Sequence, residues 1–273
     1  MLVPKNRRST WLQENRYLKK KNQPEKNRLG KKKRNPKTKL PEKKEKKEHK
    51  RMKFDEKTGS FPEEPDCTDM CNTHNYANET GLRIYGQGKP VRLFVAGLHG
   101  DEWKDTTEIL LKIKPPENGI LAVIPLVSKG EYISTLDPAY YPVMGTDILK
   151  AVEALNPEVY IELHSYSGEN LEKLAGRDRL ERIGVPAYSV LKAGVLLGSV
   201  SPWIRREYFP KEALCLSFEI QKGNPLSREF VADMLEVLKE TGSRDEFIEY
   251  LRNKFPEQAK KAIEDYRRFY GEI

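Results

Sequence analysis

Two of the four histidines lie at the ends of apolar runs that are typical of buried strands. His99 follows the run 91–97, and His164 closes the run 159–164. Glu102 comes shortly after His99 and opens a predicted helix. Two imidazoles and one carboxylate, with a fourth position open to water, are an arrangement typical of catalytic zinc. We therefore predict that His99, Glu102 and His164 bind one Zn²⁺.

A further acidic residue, Glu219, lies near the end of the apolar run 213–220. An unpaired buried carboxylate is costly, so this position indicates either a functional group or a buried ion pair with an arginine. A zinc ion lowers the pKa of bound water and polarises a carbonyl. A nearby carboxylate that is not a ligand can take the proton of that water and deliver it to a leaving amine. We expect Glu219 to be this catalytic base.

Apolar, β-branched runs alternate along the chain with amphipathic stretches. This alternation favours a three-layer α/β fold, in which a mainly parallel, mixed sheet is flanked by helices. Ligand sites in such sheets lie at the carboxyl ends of the strands, where the histidines and Glu219 fall. The predicted strands are 91–97, 119–127, 159–164 and 213–220, and the predicted helices are 102–113, 146–155 and 169–183.

The pattern changes to helices alone over residues 226–273. Apolar residues at helical spacing form three stripes, which we expect to pack on the sheet or to form a small helical appendage. Ser243 and Glu246 have the spacing of a capping box at the start of the second helix. The stripes are Phe230, Met234, Leu235 and Leu238; Phe247, Ile248 and Leu251; and Ile263, Tyr266 and Phe269.

The order of these motifs resembles that of the zinc carboxypeptidase superfamily, near its succinylglutamate desuccinylase and aspartoacylase branch. The motifs read His-Gly-Asp-Glu, then Glu-Leu-His-Ser-Tyr-Ser, then Ser-Phe-Glu-Ile, and they span roughly residues 90–220. The chain looks most like an uncharacterised archaeal branch of that superfamily. The resemblance implies a zinc-carboxypeptidase-like fold, a single zinc ion, and hydrolysis of a peptide or N-acyl amide bond in a small-molecule or peptide substrate.

The chain departs from the digestive carboxypeptidases after the second predicted strand. Those enzymes carry an Asn-Arg pair that binds the terminal carboxylate of the substrate, whereas residues 125–132 contain neither residue. Lys129 can supply positive charge there, but as a flexible point charge and not as a bidentate fork. The short spacing between Glu102 and His164 favours the compact, deacylase-like branch and puts C-terminal exopeptidase specificity in doubt.

Other basic and phenolic residues are candidates for binding the substrate or the oxyanion, by analogy with the positively charged clamps of other hydrolases. For each of them the alternative is an ordinary surface residue. With Lys129, the candidates for substrate binding are Arg177, Arg179, Arg205, Arg206 and Tyr208.

The positive charge of the chain is concentrated in its first part. Residues 1–53 hold 22 Lys/Arg and 5 Glu, which leaves 27 Lys/Arg against 36 Asp/Glu in residues 54–273. The second part is therefore acidic, which excludes reading the whole chain as a basic nucleic-acid-binding domain. We predict that residues 1–53 are a disordered basic tail. Three alternatives remain open: a nucleic-acid-binding arm, a solvated tail, or a segment that is not translated because Met52 is the start.

The three cysteines are few and odd in number, unlike the even sets of secreted disulfide frameworks. No apolar run is long enough for a membrane helix or a signal peptide. We therefore expect a cytoplasmic protein without membrane association. Cys67, Cys71 and His74 could form a second metal site, but structural zinc normally has four protein ligands, so ordinary cysteines are favoured. Cys215 is expected to be a core residue.

The favoured function is a zinc-dependent amidohydrolase, either carboxypeptidase-like or an N-acyl amino acid deacylase. The alternatives are a non-catalytic metal or small-molecule binder on the same fold, or a nucleic-acid-associated protein that acts through the basic tail. The acyl group, the leaving amine and the oligomeric state stay open.

Overall fold

The strands of the structure form one seven-stranded sheet with the order β1-β3-β2-β4-β7-β6-β5. The computed structural model describes residues 81–271. The seven strands are β1 (Arg83–Gln87), β2 (Val91–Ala96), β3 (Gly119–Ile124), β4 (Val159–Tyr166), β5 (Ser189–Val190), β6 (Leu196–Ser199) and β7 (Leu214–Gln221). The predictions for residues 1–53, Met52, Cys67, Cys71 and His74 lie outside the described residues and stay predictions.

Nine α-helices connect or follow these strands in the described part of the chain. They are α1 (Trp103–Lys112), α2 (Tyr140–Val143), α3 (Thr146–Leu155), α4 (Leu171–Ala175), α5 (Arg179–Ile183), α6 (Pro202–Tyr208), α7 (Pro225–Glu240), α8 (Arg244–Lys254) and α9 (Pro256–Tyr270). Within residues 81–271, no helix is both long and apolar enough to cross a membrane.

The four central strands β3, β2, β4 and β7 are parallel, and the outer strands are antiparallel to their neighbours. The central strands are nearly continuous apolar runs because both of their faces are covered. The chain runs from β2 to its neighbour β3 and then crosses to β4 on the other side of β2. The strand order therefore switches between β2 and β4, and open α/β sheets bind ligands outside the carboxyl ends of the strands at such a point.

The helices form one layer on each face of the sheet. Consecutive residues of β2, such as Leu93 and Phe94, lie on opposite faces of the sheet and belong to separate apolar clusters. The first cluster takes in residues from α1, α7, α8 and α9. The second takes in residues from α2, α3 and α6. The three-layer, mixed α/β fold predicted from the alternation of runs is confirmed.

Two predicted elements differ from the sequence-based expectation, and several others, among them β1, β5 and β6, were not predicted. Strand β3 ends at Ile124, because Pro125 lacks the N–H that would continue the ladder. The single helix predicted over 169–183 is instead a 3₁₀ turn followed by α4 and α5, which Gly176 separates in an extended conformation. Strand β5 has two residues and β1 is mostly exposed, so neither carries the apolar run that would mark it.

The predicted C-terminal helices are confirmed, and α8 contributes to the core of the first cluster. Phe247 and Leu251 are buried there. Ser243 accepts a hydrogen bond from the Glu246 N–H at 3.3 Å, as a capping residue does. The carboxylate of Glu246 accepts from Gly242 N–H at 2.7 Å and not from Ser243, so the reciprocal half of the predicted capping box is shifted by one residue.

Replacing Phe247 by alanine tests whether these helices belong to the same cooperative fold. Because the side chain is 0% exposed, we expect Phe247→Ala to lower the free energy of unfolding by about 3–5 kcal/mol. Leu226→Ala in α7 is the control, since Leu226 is 62% exposed and its loss should cost less than about 0.5 kcal/mol. Guanidinium denaturation measures both, and equal effects would contradict the packing of α8.

Candidate metal centre

The three predicted metal ligands lie around the point where the strand order switches. His99 follows the end of β2, His164 lies in the carboxyl half of β4, and Glu102 precedes α1. Gly100 has a φ of +60°, a conformation that favours glycine. This turn lets the chain leave β2, present His99, and enter α1 with Glu102 facing the same point above the sheet.

One candidate ligand atom from each of His99, Glu102 and His164 lies within 4.8 Å of the other two. The Oε2 atom of Glu102 is 3.6 Å from Nδ1 of His99 and 3.3 Å from Nδ1 of His164. The other carboxylate oxygen, Oε1, lies 3.3 Å from Nδ1 of His164 and accepts a 3.4 Å hydrogen bond from the Ser165 N–H. The structure thus brings together the three residues that were predicted from the sequence to be metal ligands.

The Oε2 atom of Glu102 indicates that this cluster can hold a cation. The atom is buried and has no hydrogen-bond partner among the described residues, although both imidazole Nδ1 atoms lie nearby. Leaving a buried charged oxygen without a partner is costly. Two imidazole nitrogens and a carboxylate oxygen form a donor set that zinc accepts. The residues present therefore fit a single divalent ion.

A second buried carboxylate, Glu162, orients His164 from behind. Its Oε2 is 3.4 Å from Nε2 of His164, on the side of the ring away from Glu102. Its Oε1 accepts hydrogen bonds from the hydroxyls of Tyr141 and Tyr160, each at 2.7 Å. Carboxylate partners of this kind fix the tautomer and the orientation of metal-binding histidines. Glu162 therefore keeps Nδ1 of His164 directed at the cluster.

The two histidines experience opposite electrostatic environments. Burial is the main influence on His99 and lowers its pKa to about 4, so this ring is neutral and can offer a lone pair. Burial also opposes protonation of His164, but the carboxylates of Glu102, Glu162 and Glu219 outweigh it and raise the pKa of His164 well above its usual value. The protein has thus concentrated negative charge at a buried point, which a bound cation would offset.

Glu219 lies beside His164 on the neighbouring strand, where the two residues are paired in the register of β4 and β7. Side chains of paired residues share a face of the sheet, so Glu219 lies on the same face as His164. Burial raises the pKa of Glu219 to about 7, although His164 and the more distant Arg179 favour its charged form. The predicted alternative, a salt bridge to arginine, is not found for Glu219 among residues 81–271.

A cleft of about 250 Å³ opens at this cluster and is lined by His99, His164 and Glu219. Tyr132 forms part of the rim: its ring lies edge-on to His99, with centroids 4.7 Å apart, and is 69% exposed. Tyr188 forms part of the wall, with its hydroxyl 3.1 Å from the Ser217 hydroxyl. The cluster is therefore accessible to a small molecule.

Of the six residues predicted to bind substrate, Arg179 alone lines the cleft. Its guanidinium lies over the Tyr188 ring, 4.8 Å from the centroid, and donates a 2.6 Å hydrogen bond to the carbonyl of Pro186. The side chain is buried and has no ion-pair partner in the described part of the chain. Lys129 is exposed, and its ammonium lies 4.3 Å from the centroid of the Trp103 ring.

The other four candidates lie away from the cleft. Arg177 is exposed. Arg205 is buried because its guanidinium donates to the carbonyls of Phe209, Pro210 and Lys211, which holds the loop after α6. Arg206 lies over the rings of Phe269 and Tyr270 on α9. Tyr208 packs against Trp203 and the second apolar cluster, so its phenol does not cover the site.

Several residues at the site escaped the sequence analysis. Glu162 lies two residues before His164, so strand periodicity places both side chains on one face, and this spacing could have indicated the contact. Tyr141 and Tyr132 come from segments without a strong pattern, and their positions depend on tertiary packing. Cys215 is buried in the second apolar cluster, as expected, and burial raises the pKa of its thiol to about 12.

The fold and the site together define a mixed α/β protein with a candidate single-metal centre at the carboxyl edge of its parallel strands. The chain belongs to the family described as "Uncharacterized protein conserved in archaea (DUF2119)", which matches residues 87–271. It is also similar to the "Uncharacterized protein MJ0501" of Methanocaldococcus jannaschii, with 36% identity over 180 residues. That match covers 63% of this chain and 87% of the relative.

Zinc titration tests the cluster directly. We expect the chelator-treated protein to bind about one Zn²⁺ per chain. Zinc at 100 times its dissociation constant should raise the free energy of unfolding by about 2.7 kcal/mol. Glu102→Gln should abolish most of this gain, because it removes the charged ligand oxygen. Asp105→Asn, in the first turn of α1 and outside the cluster, is the control. An unchanged gain in Glu102→Gln would contradict the assigned cluster.

Replacing Glu162 tests its role behind His164. We expect Glu162→Gln to weaken zinc affinity about 10- to 100-fold, because the amide holds the imidazole less firmly and no longer raises its basicity. Competition with a chromophoric chelator measures the affinity, and Glu153→Gln on the exposed face of α3 is the matched control. Wild-type affinity in Glu162→Gln would show that the 3.4 Å contact does not orient the ligand.

Proposed function

We propose that this protein is a zinc-dependent hydrolase of peptide or N-acyl amide bonds. The observation that carries the proposal is the buried, unpartnered Oε2 of Glu102, which lies within 3.6 Å of two imidazole nitrogens beside an open cleft. His99, Glu102 and His164 would hold the ion. When bound, the ion supplies Lewis acidity and lowers the pKa of a coordinated water.

Glu219 is the general base in this proposal. It lines the same cleft as His99 and His164, lies next to His164 in the sheet, and is not part of the ligand cluster. A carboxylate in this position can accept a proton from the attacking water and later donate it to the leaving amine. Burial within the cleft limits exchange of that proton with bulk solvent.

Arg179 positions the substrate. Its buried guanidinium lines the cleft and forms no salt bridge among residues 81–271, although it favours the charged form of Glu219. A buried charge without a directly paired counter-charge is costly, and a substrate oxygen can offset that cost. Its donors can bind a carbonyl or carboxylate oxygen of the substrate, and they favour the developing negative charge of the transition state.

The proposal extends to a distant relationship with the zinc carboxypeptidase superfamily, close to its deacylase branch. Supporting it are the order of the His-Gly-Asp-Glu, Glu-Leu-His-Ser and Ser-Phe-Glu motifs, and the parallel strands that carry them. Lys129 does not reach the cleft. The position that binds the terminal carboxylate in digestive carboxypeptidases thus has no counterpart here, which favours deacylation over C-terminal exopeptidase activity.

One observation favours a second function, a non-catalytic metal or small-molecule binder. Five of the six residues predicted from the sequence to bind substrate lie outside the cleft, and Arg179 is the sixth, which lines it. A binder would take up zinc with the same affinity but release no product. A panel of N-acyl amino acids and short peptides, assayed with and without a chelator, distinguishes the two functions.

Substituting the proposed base separates metal binding from turnover. We expect Glu219→Gln to bind zinc with near wild-type affinity, because Glu219 is not a ligand. Amide hydrolysis should fall at least about 100-fold, because the proton acceptor is lost. Glu212→Gln, exposed just before β7, is the control. Release of amine from an N-acyl amino acid measures the rate, and full activity in Glu219→Gln would refute the assigned mechanism.

A further inference from the structure

The cleft extends well beyond the metal cluster. Besides His99 and Glu219, its walls include Cys215 at the start of β7 and Phe247 and Leu251 of α8. The rise of a strand is about 3.3 Å per residue, so the part of β7 from residue 219 to residue 214 covers roughly 16 Å. A ligand that is bound at the cluster can therefore extend far into the protein along β7.

The far part of the cleft is mostly apolar. Residues of β7 alternate between faces, so Cys215 shares a face with Glu219 while Leu216 lies on the side of α8 and α9. Both Cys215 and Leu216 line the cleft, together with Ile263 of α9. Residues from both faces of the sheet thus line the cleft, and most of the surface that they contribute is apolar.

Gly198 leaves room for the Tyr188 ring, which forms part of the cleft wall. A Cβ atom at Gly198 would lie 2.7 Å from the Tyr188 ring, so a larger residue in β6 would displace that ring. Tyr188 also lies beneath the Arg179 guanidinium. The Tyr188 ring therefore holds the Arg179 guanidinium at a fixed position in the wall of the cleft.

We infer that this extension binds the acyl chain of the substrate, and that the substrate class is an N-acyl amide with an unbranched apolar acyl group. The inference rests on the proposed function for the position of the amide at the cluster. An extended chain advances roughly 1.1 Å per bond, since a backbone residue of three bonds spans about 3.3 Å. At this advance a length of roughly 16 Å spans about fourteen bonds, so an acyl chain of ten carbons fits inside the extension.

Two serines on the cleft walls offer a way to block it without harming the fold. The hydroxyls of Ser189 and Ser201 are buried and have no hydrogen-bond partner among the described residues. Replacing such a hydroxyl by an apolar group breaks no hydrogen bond. Ser201 also precedes α6 without capping it through its side chain. Ser201→Leu should therefore fold and fill part of the apolar extension.

The test is a binding series with straight-chain primary amides of two to ten carbons, measured by calorimetry on the full chain with and without zinc. Each methylene that enters the extension should raise affinity about four-fold, as expected for burial of one CH₂. In Ser201→Leu the gain should stop at shorter chains, with at least a ten-fold loss for the longest amide and no change for the shortest. Ser128→Leu, which does not line the cleft, is the control.

The outcomes separate this inference from the proposed function. A chain-length series that is flat, or that is unchanged in Ser201→Leu, overturns the acyl-chain site even if short N-acyl amino acids are hydrolysed. A rising series that Ser201→Leu truncates supports the site. If the same protein hydrolyses none of the corresponding N-acyl amino acids, the hydrolase proposal fails while the binding result stands.

Discussion

Buried negative charge at one point of the sheet is the constraint on which the rest of the site depends. Glu102 and Glu162 lie on opposite sides of the His164 ring, and both are removed from water. Glu162 accepts hydrogen bonds from two tyrosine hydroxyls and lies against an imidazole, whereas one oxygen of Glu102 has no hydrogen-bond partner among the described residues. The protein therefore offsets the cost of burying Glu162 internally and leaves part of that cost unmet at Glu102. Such an asymmetry is more typical of a binding site than of a structural ion-pair network.

The register of the strands places the buried acidic side chains at defined positions around His164. Because side chains alternate along a strand, Glu162 and His164 share a face of β4, and the pairing of His164 with Glu219 brings the third acidic group alongside. The opposite faces of β4 and β7 carry Leu163 and Phe218, which pack in the first apolar cluster. A shift of one residue would exchange the polar and apolar faces, so the same packing that stabilises the core also holds the site in register.

The central strands and the candidate metal ligands were predictable from sequence because each has a local signal. The run 119–124 is apolar throughout, and His99 and His164 stand out at the ends of the mostly apolar runs 91–97 and 159–164. The edge strand β5 has two residues, and the break at Gly176 interrupts a pattern that reads as one helix. The environments of Arg205 and Tyr208 depend on which carbonyls and rings the tertiary fold places around them. Charge and spacing alone cannot distinguish an arginine that holds a loop from one that lines a cleft.

The contribution of α9 to the cleft separates two parts of the chain with different roles in the site. The three candidate ligands all lie between the end of β2 and the end of β4 in sequence. The far wall of the cleft includes Ile263 and Tyr270 of the last described helix, where the Tyr270 hydroxyl lies 3.3 Å from the Ser199 hydroxyl. The loop closed by this contact is about as long as the loop between Glu102 and His164, 71 against 62 residues, so loop length gives neither part an advantage in folding. A change in α9 would therefore reshape the cleft and leave the three candidate ligands in place.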